Sequence, residues 1–255
     1  MTRRPPLRCL VTGASRGIGR TIVEHLAASG HQVAITARSV GDLQSLADSL
    51  DVPTLVLPAD VTDPGTPDGL VADVVAAWGG IDVAVLNAGE AISAPIHRTD
   101  DALWQQMLDV NLTAPFRFIR AAVPPMKQAG FGRIIVIASI ASKVGVPYIT
   151  AYSAAKHGVL GAVRSAAMEL ATTGVTVNAV CPGYVDTPLT DRALEAIVAK
   201  TGIDMAAARA TLENTHPIKR LITTDEVASV VDMLVADTGG ITGQGIVIDG
   251  GSVQS

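Results

Sequence analysis

The chain has 255 residues, of which 48% are hydrophobic, 17% charged and 3% aromatic, with a formal net charge of -5. That length suits one large domain or two small ones. The acidic balance and scarce aromatics argue against a general phosphate-backbone binder and a base-stacking surface, so no nucleic-acid partner is expected.

Charge below the ~25% of an average globular protein suggests a surface partly buried against another subunit. The basic N-terminus lacks an apolar stretch of signal-peptide length, and no run approaches the ~18 apolar residues of a membrane span. Cys9 and Cys181 make no disulfide framework and no metal cluster, and the histidines lack metal-ligand spacing. The expectation is a cytoplasmic protein with no membrane partner and no metal.

In chain order, 7–12 reads as a buried strand and 17–28 as a helix. Residues 32–37 are strand-like and 40–50 helical. Further strands are expected at 54–57, 82–86, 133–138, 175–180 and 245–248. The helices between them fall at 67–78, 101–128, 152–171 and 224–235, the second bent at Pro115. Short β-branched runs alternating with helical periodicity predict an α/β fold, a doubly wound parallel sheet covered on both faces. No linker divides the pattern, so 1–255 reads as one domain. The exception is 188–217, with helical pieces at 191–200 and 204–214. It follows a strand end, where open α/β sheets bind ligands, and reads as a substrate lid.

Thr12-Gly13-Ala14-Ser15-Arg16-Gly17-Ile18-Gly19 follows the first strand and opens the first helix. Glycines there allow a tight turn close to a pyrophosphate, and the helix N-terminus offers free N–H groups. The spacing G-x-x-x-G-x-G differs from the G-x-G-x-x-G of most dinucleotide folds. Asn87-Ala88-Gly89, Asn111, Ser139, Tyr152-x-x-x-Lys156, Pro182-Gly183 and Asp249-Gly250-Gly251 follow in order. Together these motifs resemble the short-chain dehydrogenase/reductase family over nearly the whole chain. The resemblance implies a seven-stranded Rossmann sheet, a nicotinamide cofactor and a nucleotide site lined by Gly13, Ser15, Arg16, Gly17, Ile18 and Gly19. It also sets Asp60 and Val61 beside the adenine. Asn87, Ala88, Gly89, Pro182, Gly183, Val185 and Thr187 line the cofactor, with Thr187 at the carboxamide end.

The second strand runs into Thr36-Ala37-Arg38 without an acid to take a 2′-hydroxyl. Arg38, aided by Arg16, can pair with a 2′-phosphate, so NADP is expected over NAD.

Tyr152 and Lys156 share a helix face. The Lys156 ammonium should lower the phenol from its usual ~10, making Tyr152 the acid or base toward a carbonyl or alcohol. Ser139 can donate to the same oxygen; Ser142 is an alternative hydroxyl whose spacing fits less well. In the resembling family Lys156 also holds the nicotinamide ribose and Asn111 holds a relay water. His157, about 100° round the helix, reads as structural.

Tyr152, Lys156, Val159, Leu160, Val163, Ala167 and Leu170 form one helix face. Opposite lie Ala154, Gly158, Gly161 and Ser165, a small-residue stripe suited to a second copy of the same helix. The resembling family is commonly tetrameric through this helix and its neighbour, and a homotetramer is expected.

Within that family the chain looks most like 3-oxoacyl thioester reductases and 3-hydroxyacyl-CoA dehydrogenases. The expected partner is therefore a small-molecule carbonyl or alcohol, carried on CoA or a carrier protein. Arg192, Lys200, Arg209, Lys219 and Arg220 in and after the lid could meet such a carrier. Ile92, Ser93, Val146, Tyr148 and Tyr184 are candidate substrate contacts. Polyketide ketoreductase and steroid or sugar-alcohol dehydrogenase are the alternatives. A non-enzymatic nucleotide sensor is disfavoured because Asn111, Ser139, Tyr152 and Lys156 are all present.

Overall fold

A computed structural model describes residues 5–254; Arg3 and Arg4 of the basic N-terminus lie outside the described residues. Seven strands form one parallel sheet: β1 (Arg8–Thr12), β2 (Gln32–Thr36), β3 (Thr54–Val56), β4 (Val83–Leu86), β5 (Gly132–Ile137), β6 (Val175–Pro182) and β7 (Gly245–Ile248). Their spatial order is β3-β2-β1-β4-β5-β6-β7. Each strand agrees with its expected position to within about two residues at either end. The order reverses between β1 and β4, which opens a crevice at their C-terminal ends.

The apolar runs of the strands divide between two layers because successive side chains point to opposite faces. Leu10, Leu86, Ile134 and Val136 face α3 (Thr66–Trp78), α5 (Ala114–Ala129) and α6 (Thr150–Leu170). Val11, Val85, Ile135 and Ile137 face α1 (Gly17–Ala28), α2 (Val40–Ala47) and α9 (Thr224–Ala236). Each fully buried aliphatic side chain contributes ~1.5–3 kcal/mol to this arrangement. Among the described residues, no helix is long and apolar enough to cross a membrane.

The single helix expected over 101–128 is two. α4 (Asp101–Leu108) passes into a π-helical turn, Asp109–Thr113, before α5 begins. The break precedes Pro115, which sits in the first turn of α5 where its missing N–H costs little. The ladder widens instead to Ala114 N donating to Asp109 O. Pro124 and Pro125 lie inside α5.

The small-residue stripe also needs correction. A Cβ on Gly158 would lie 2.9 Å from Leu112 Cδ2, so this glycine admits the π turn of its own chain. Gly161 is exposed, and a Cβ there meets nothing within 4 Å.

Residues 188–217 hold α7 (Pro188–Thr201) and α8 (Met205–Glu213). They enclose a small core of Leu194, Ala208, Leu212 and Leu221.

Candidate active site

The glycine loop is built by contacts within the chain as much as for a ligand. Gly13 has φ +66, and a Cβ there would sit 2.9 Å from both Ala88 Cα and Asn87 Nδ2. A Cβ on Gly19 would overlap Gly13 O and Asn87 Nδ2. The Asn87 amide donates to Thr12 O (3.0 Å) and Gly13 O (3.1 Å). Thr12 Oγ1 accepts from the backbone N–H groups of Asn87 (2.9 Å) and Ala88 (3.0 Å). Asn87 thus clamps the ends of β1 and β4, where the resemblance had implied cofactor lining.

The residues present fit an anionic dinucleotide. Arg16 precedes α1 in an extended conformation, no side chain caps that helix, and its first turn holds no acid. α3, α5 and α6 likewise lack a side-chain cap, whereas α2, α4, α7, α8 and α9 are capped by Ser39, Asp100, Thr187, Asp204 and Thr223. The α1 N-terminus follows the glycine loop at the end of β1 and has no acceptor from a capping side chain. Ser15 and Ile18 are half-buried in the turn and Arg16 is exposed. The Arg38 side chain is 78% exposed, with Nη1 4.0 Å from Asp60 Oδ2. Hydrogen bonds from Thr62 N and Oγ1 hold the Asp60 carboxyl below its ordinary range, and Arg38 adds to this. The Val61 side chain belongs to the core.

The catalytic candidates converge from three elements. Ser139 follows β5, its hydroxyl accepting from Ala141 N (3.1 Å) and hydrogen-bonding Tyr152. Tyr152 and Lys156 lie one turn apart on α6, with Lys156 Nζ 5.5 Å from the Tyr152 ring centroid. Lys156 Nζ donates to Ile137 O (2.9 Å). Burial pushes the Tyr152 phenol up to about 12 against the pull of Ser139. Burial also pushes the Lys156 ammonium down to about 8. The expected lowering of the phenol is therefore not what the free protein shows: desolvation dominates, and the lowering influence comes from the Ser139 hydrogen bond. His157 is exposed, with Nδ1 2.9 Å from Ser153 O.

Asn111 is fully buried in the π turn. Its amide donates to Glu90 O (2.9 Å) and Met107 O (3.1 Å), and its Oδ1 accepts from Glu90 N (3.3 Å). A Cβ on Gly89 would lie 3.0 Å from Asn111 Oδ1 and 3.7 Å from Lys156 Nζ, so all three groups meet at one point.

Pro182 ends β6, and Gly183 N donates to Ile248 O (2.8 Å). Val185 is buried and pairs with Ile222. Thr187 caps α7 and lies 3.4 Å from where a Gly17 Cβ would stand. The loops carrying Ile92, Ser93, Val146 and Tyr148 are joined by Ala94 N donating to Tyr148 O (2.8 Å). Tyr148, at φ +68, is 65% exposed.

Three of the five cations expected to meet a carrier are engaged internally. Arg209 binds Asp186 through both terminal nitrogens, and Arg220 does the same with Glu226. Lys219 Nζ donates to Asn214 O. Arg192 and Lys200 remain exposed. Buried His216, bonded to Tyr184 N, escaped sequence reasoning because an isolated histidine in a lid has no motif spacing. A cavity of about 430 Å³, lined by Lys143, Arg164, Met168 and Gln244 among others, opens beside α6 and β7 and includes none of the catalytic candidates. Among the described residues, no cluster of three or more His, Cys, Asp and Glu is arranged to hold a metal ion.

Residues 13–253 match the family described as Enoyl-(Acyl carrier protein) reductase. The chain is 36% identical over 249 residues to the D-beta-hydroxybutyrate dehydrogenase of Rhizobium meliloti (strain 1021), covering 95% of this chain and 96% of that one. It is 37% identical over 243 residues to the 3-oxoacyl-(acyl-carrier-protein) reductase of Escherichia coli (strain K12), covering 95% of each. A crystal structure of a variant actinorhodin polyketide ketoreductase with NADPH superposes with TM-score 0.93 at 35% identity, covering 98% of each chain.

Proposed function

The chain belongs to the short-chain dehydrogenase/reductase family, and from that premise we propose that it is an NADP-dependent reductase of 3-oxoacyl thioesters. The observation that carries the reading is the convergence of Ser139, Tyr152 and Lys156 beside an uncapped α1 N-terminus. The names of its relatives support the substrate class: a hydroxybutyrate dehydrogenase, a 3-oxoacyl reductase and a polyketide ketoreductase.

Gly13, Ser15, Arg16, Gly17, Ile18 and Gly19 would hold the pyrophosphate, with Arg38 and Arg16 on the 2′-phosphate. Asp60, Val61, Asn87, Ala88, Gly89, Pro182, Gly183, Val185 and Thr187 complete that lining. When bound, the reduced dinucleotide supplies hydride to the carbonyl carbon. Tyr152, protonated at neutral pH, breaks its O–H bond and delivers the proton to the carbonyl oxygen. The Ser139 hydroxyl donates to that oxygen as charge develops. Charged Lys156 then stabilises the remaining phenolate, and a water between Asn111 Oδ1 and Lys156 Nζ returns a proton from solvent.

The chain is read as one domain, with 188–217 as its lid. The local apolar core of α7 and α8 supports a segment that packs as a unit, and Arg209 ties it to Asp186 just before it. Exposed Leu189 and Tyr148 on flanking segments suit an acyl substrate. Exposed Trp104 and Phe116 support a homotetramer through the α4–α6 face. Two unpaired buried thiols support a reducing, cytoplasmic setting.

The test is NADPH oxidation with acetoacetyl-CoA against cyclohexanone. Two contacts remote from the carbonyl, at ~1.4 kcal/mol each, predict about a hundredfold higher kcat/KM for the thioester. Equal efficiency would reassign the chain to general secondary alcohols.

A further inference from the structure

His216 lies at the exit of the lid and is 1% exposed. Its Nδ1 is 2.9 Å from Arg220 O, and a carbonyl only accepts, so Nδ1 carries the proton. In the neutral ring Nε2 is then an acceptor, and the Tyr184 backbone N–H donates to it across 3.1 Å. The two partners together assign the tautomer. Gly183 makes room for this bond, because any Cβ there would overlap Nε2 and press on Asp249 Cβ at 3.1 Å.

Tyr184, a candidate substrate contact, is the residue this bond holds where the chain leaves β6. Its ring centroid is 6.2 Å from the imidazole. Downstream, the segment has anchors of its own. Ile222 N donates to Tyr184 O (2.9 Å), Asp186 N donates to Ile222 O (2.8 Å), and Arg209 grips the Asp186 carboxylate.

We infer that His216 is a positioning residue for the proposed reduction: its Nε2 holds the Tyr184 backbone so that the lid exit and the β6 exit keep one alignment at that substrate contact. The kinetic side of this inference rests on the ketoreductase reading; the hydrogen bond does not. Thr187 is held through Asp186, whose N–H donates to Ile222 O and whose carboxylate Arg209 grips, so cofactor binding should be insensitive to His216.

Glutamine and asparagine separate the two bonds. His216→Gln reaches as far as Nε2 and keeps an acceptor for Tyr184 N. His216→Asn reaches only as far as Nδ1 and keeps the donor to Arg220 O. In the full chain, amide hydrogen exchange at Tyr184 should accelerate about tenfold or more in His216→Asn and stay within about threefold in His216→Gln. With the thioester, kcat should fall about fivefold or more in His216→Asn and stay within about twofold in His216→Gln. NADPH affinity by fluorescence should change less than about threefold in both. Equal behaviour of the two variants, or kcat losses that merely follow the melting temperature, would overturn the inference. If His216→Asn does not fold, the glutamine variant decides: wild-type exchange and kcat uphold the inference, and a rise in exchange with a fall in kcat rejects it. A wild-type chain without NADPH oxidation would sink the ketoreductase reading, while exchange at Tyr184 would still decide the bond.

Discussion

A half-buried phenol and a buried ammonium one helical turn apart carry the proposed acid–base chemistry. Burial raises Tyr152 to about 12 and lowers Lys156 to about 8. Tyr152 therefore keeps its proton across the working range, as a donor must, while Lys156 loses its charge as pH rises through about 8. We expect kcat/KM for reduction, which reports the free enzyme, to be level near neutrality and to fall above about pH 8. A flat profile to about pH 9.5 would mean that the Lys156 charge is not used. The same group affects folding with the opposite slope. Its folded value lies below its free value of 10.5, so between about 8 and 10.5 the unfolded chain binds the extra proton. Its contribution to stability therefore rises with pH across that window. The residue types at this site were legible from Tyr152-x-x-x-Lys156 and Ser139, but the direction of the phenol shift was not. Spacing reports which side chains share a face and says nothing of how dry that face is.

Among the elements, the strands were readable because each is a β-branched run bounded by turn residues. The split between α4 and α5 was not readable, since an apolar pattern that suits an α-helix also suits one interrupted by a single π turn. That turn places Asn111 against Glu90, and Leu112 against Gly158. Gly158 therefore reports packing within the chain, and the evidence for a facing copy moves to Gly161. Glycine there costs the helix ~1 kcal/mol relative to alanine, and no contact among the described residues requires it. Gly161→Leu should leave the melting temperature of the isolated subunit unchanged or higher and yield a smaller species by light scattering. An unchanged oligomer would place the interface elsewhere.

At the scale of the molecule, the reversal of strand order between β1 and β4 gathers the site from distant parts of the sequence. The glycine loop comes from β1, Asn87 from β4, Ser139 from β5, and the Gly183–Thr187 segment from β6. Residues 188–217, the proposed lid, enter and leave beside that last segment, with Arg209, Arg220 and His216 bonded within the chain there. A charge count suggested a carrier-binding face there, whereas Arg209 and Arg220 hold the lid to its own chain. Sequence alone shows which residues are charged; only the folded chain shows which acids reach them first. The central claim is that Tyr152 donates the proton to a carbonyl held over an NADP site, and turnover of Tyr152→Phe against its NADPH affinity tests it most directly. The ring still packs without its hydroxyl, so NADPH should bind within about twofold of wild type while kcat falls below a tenth. A variant that retains more than a tenth of wild-type kcat, a barrier change under ~1.4 kcal/mol, would contradict the account.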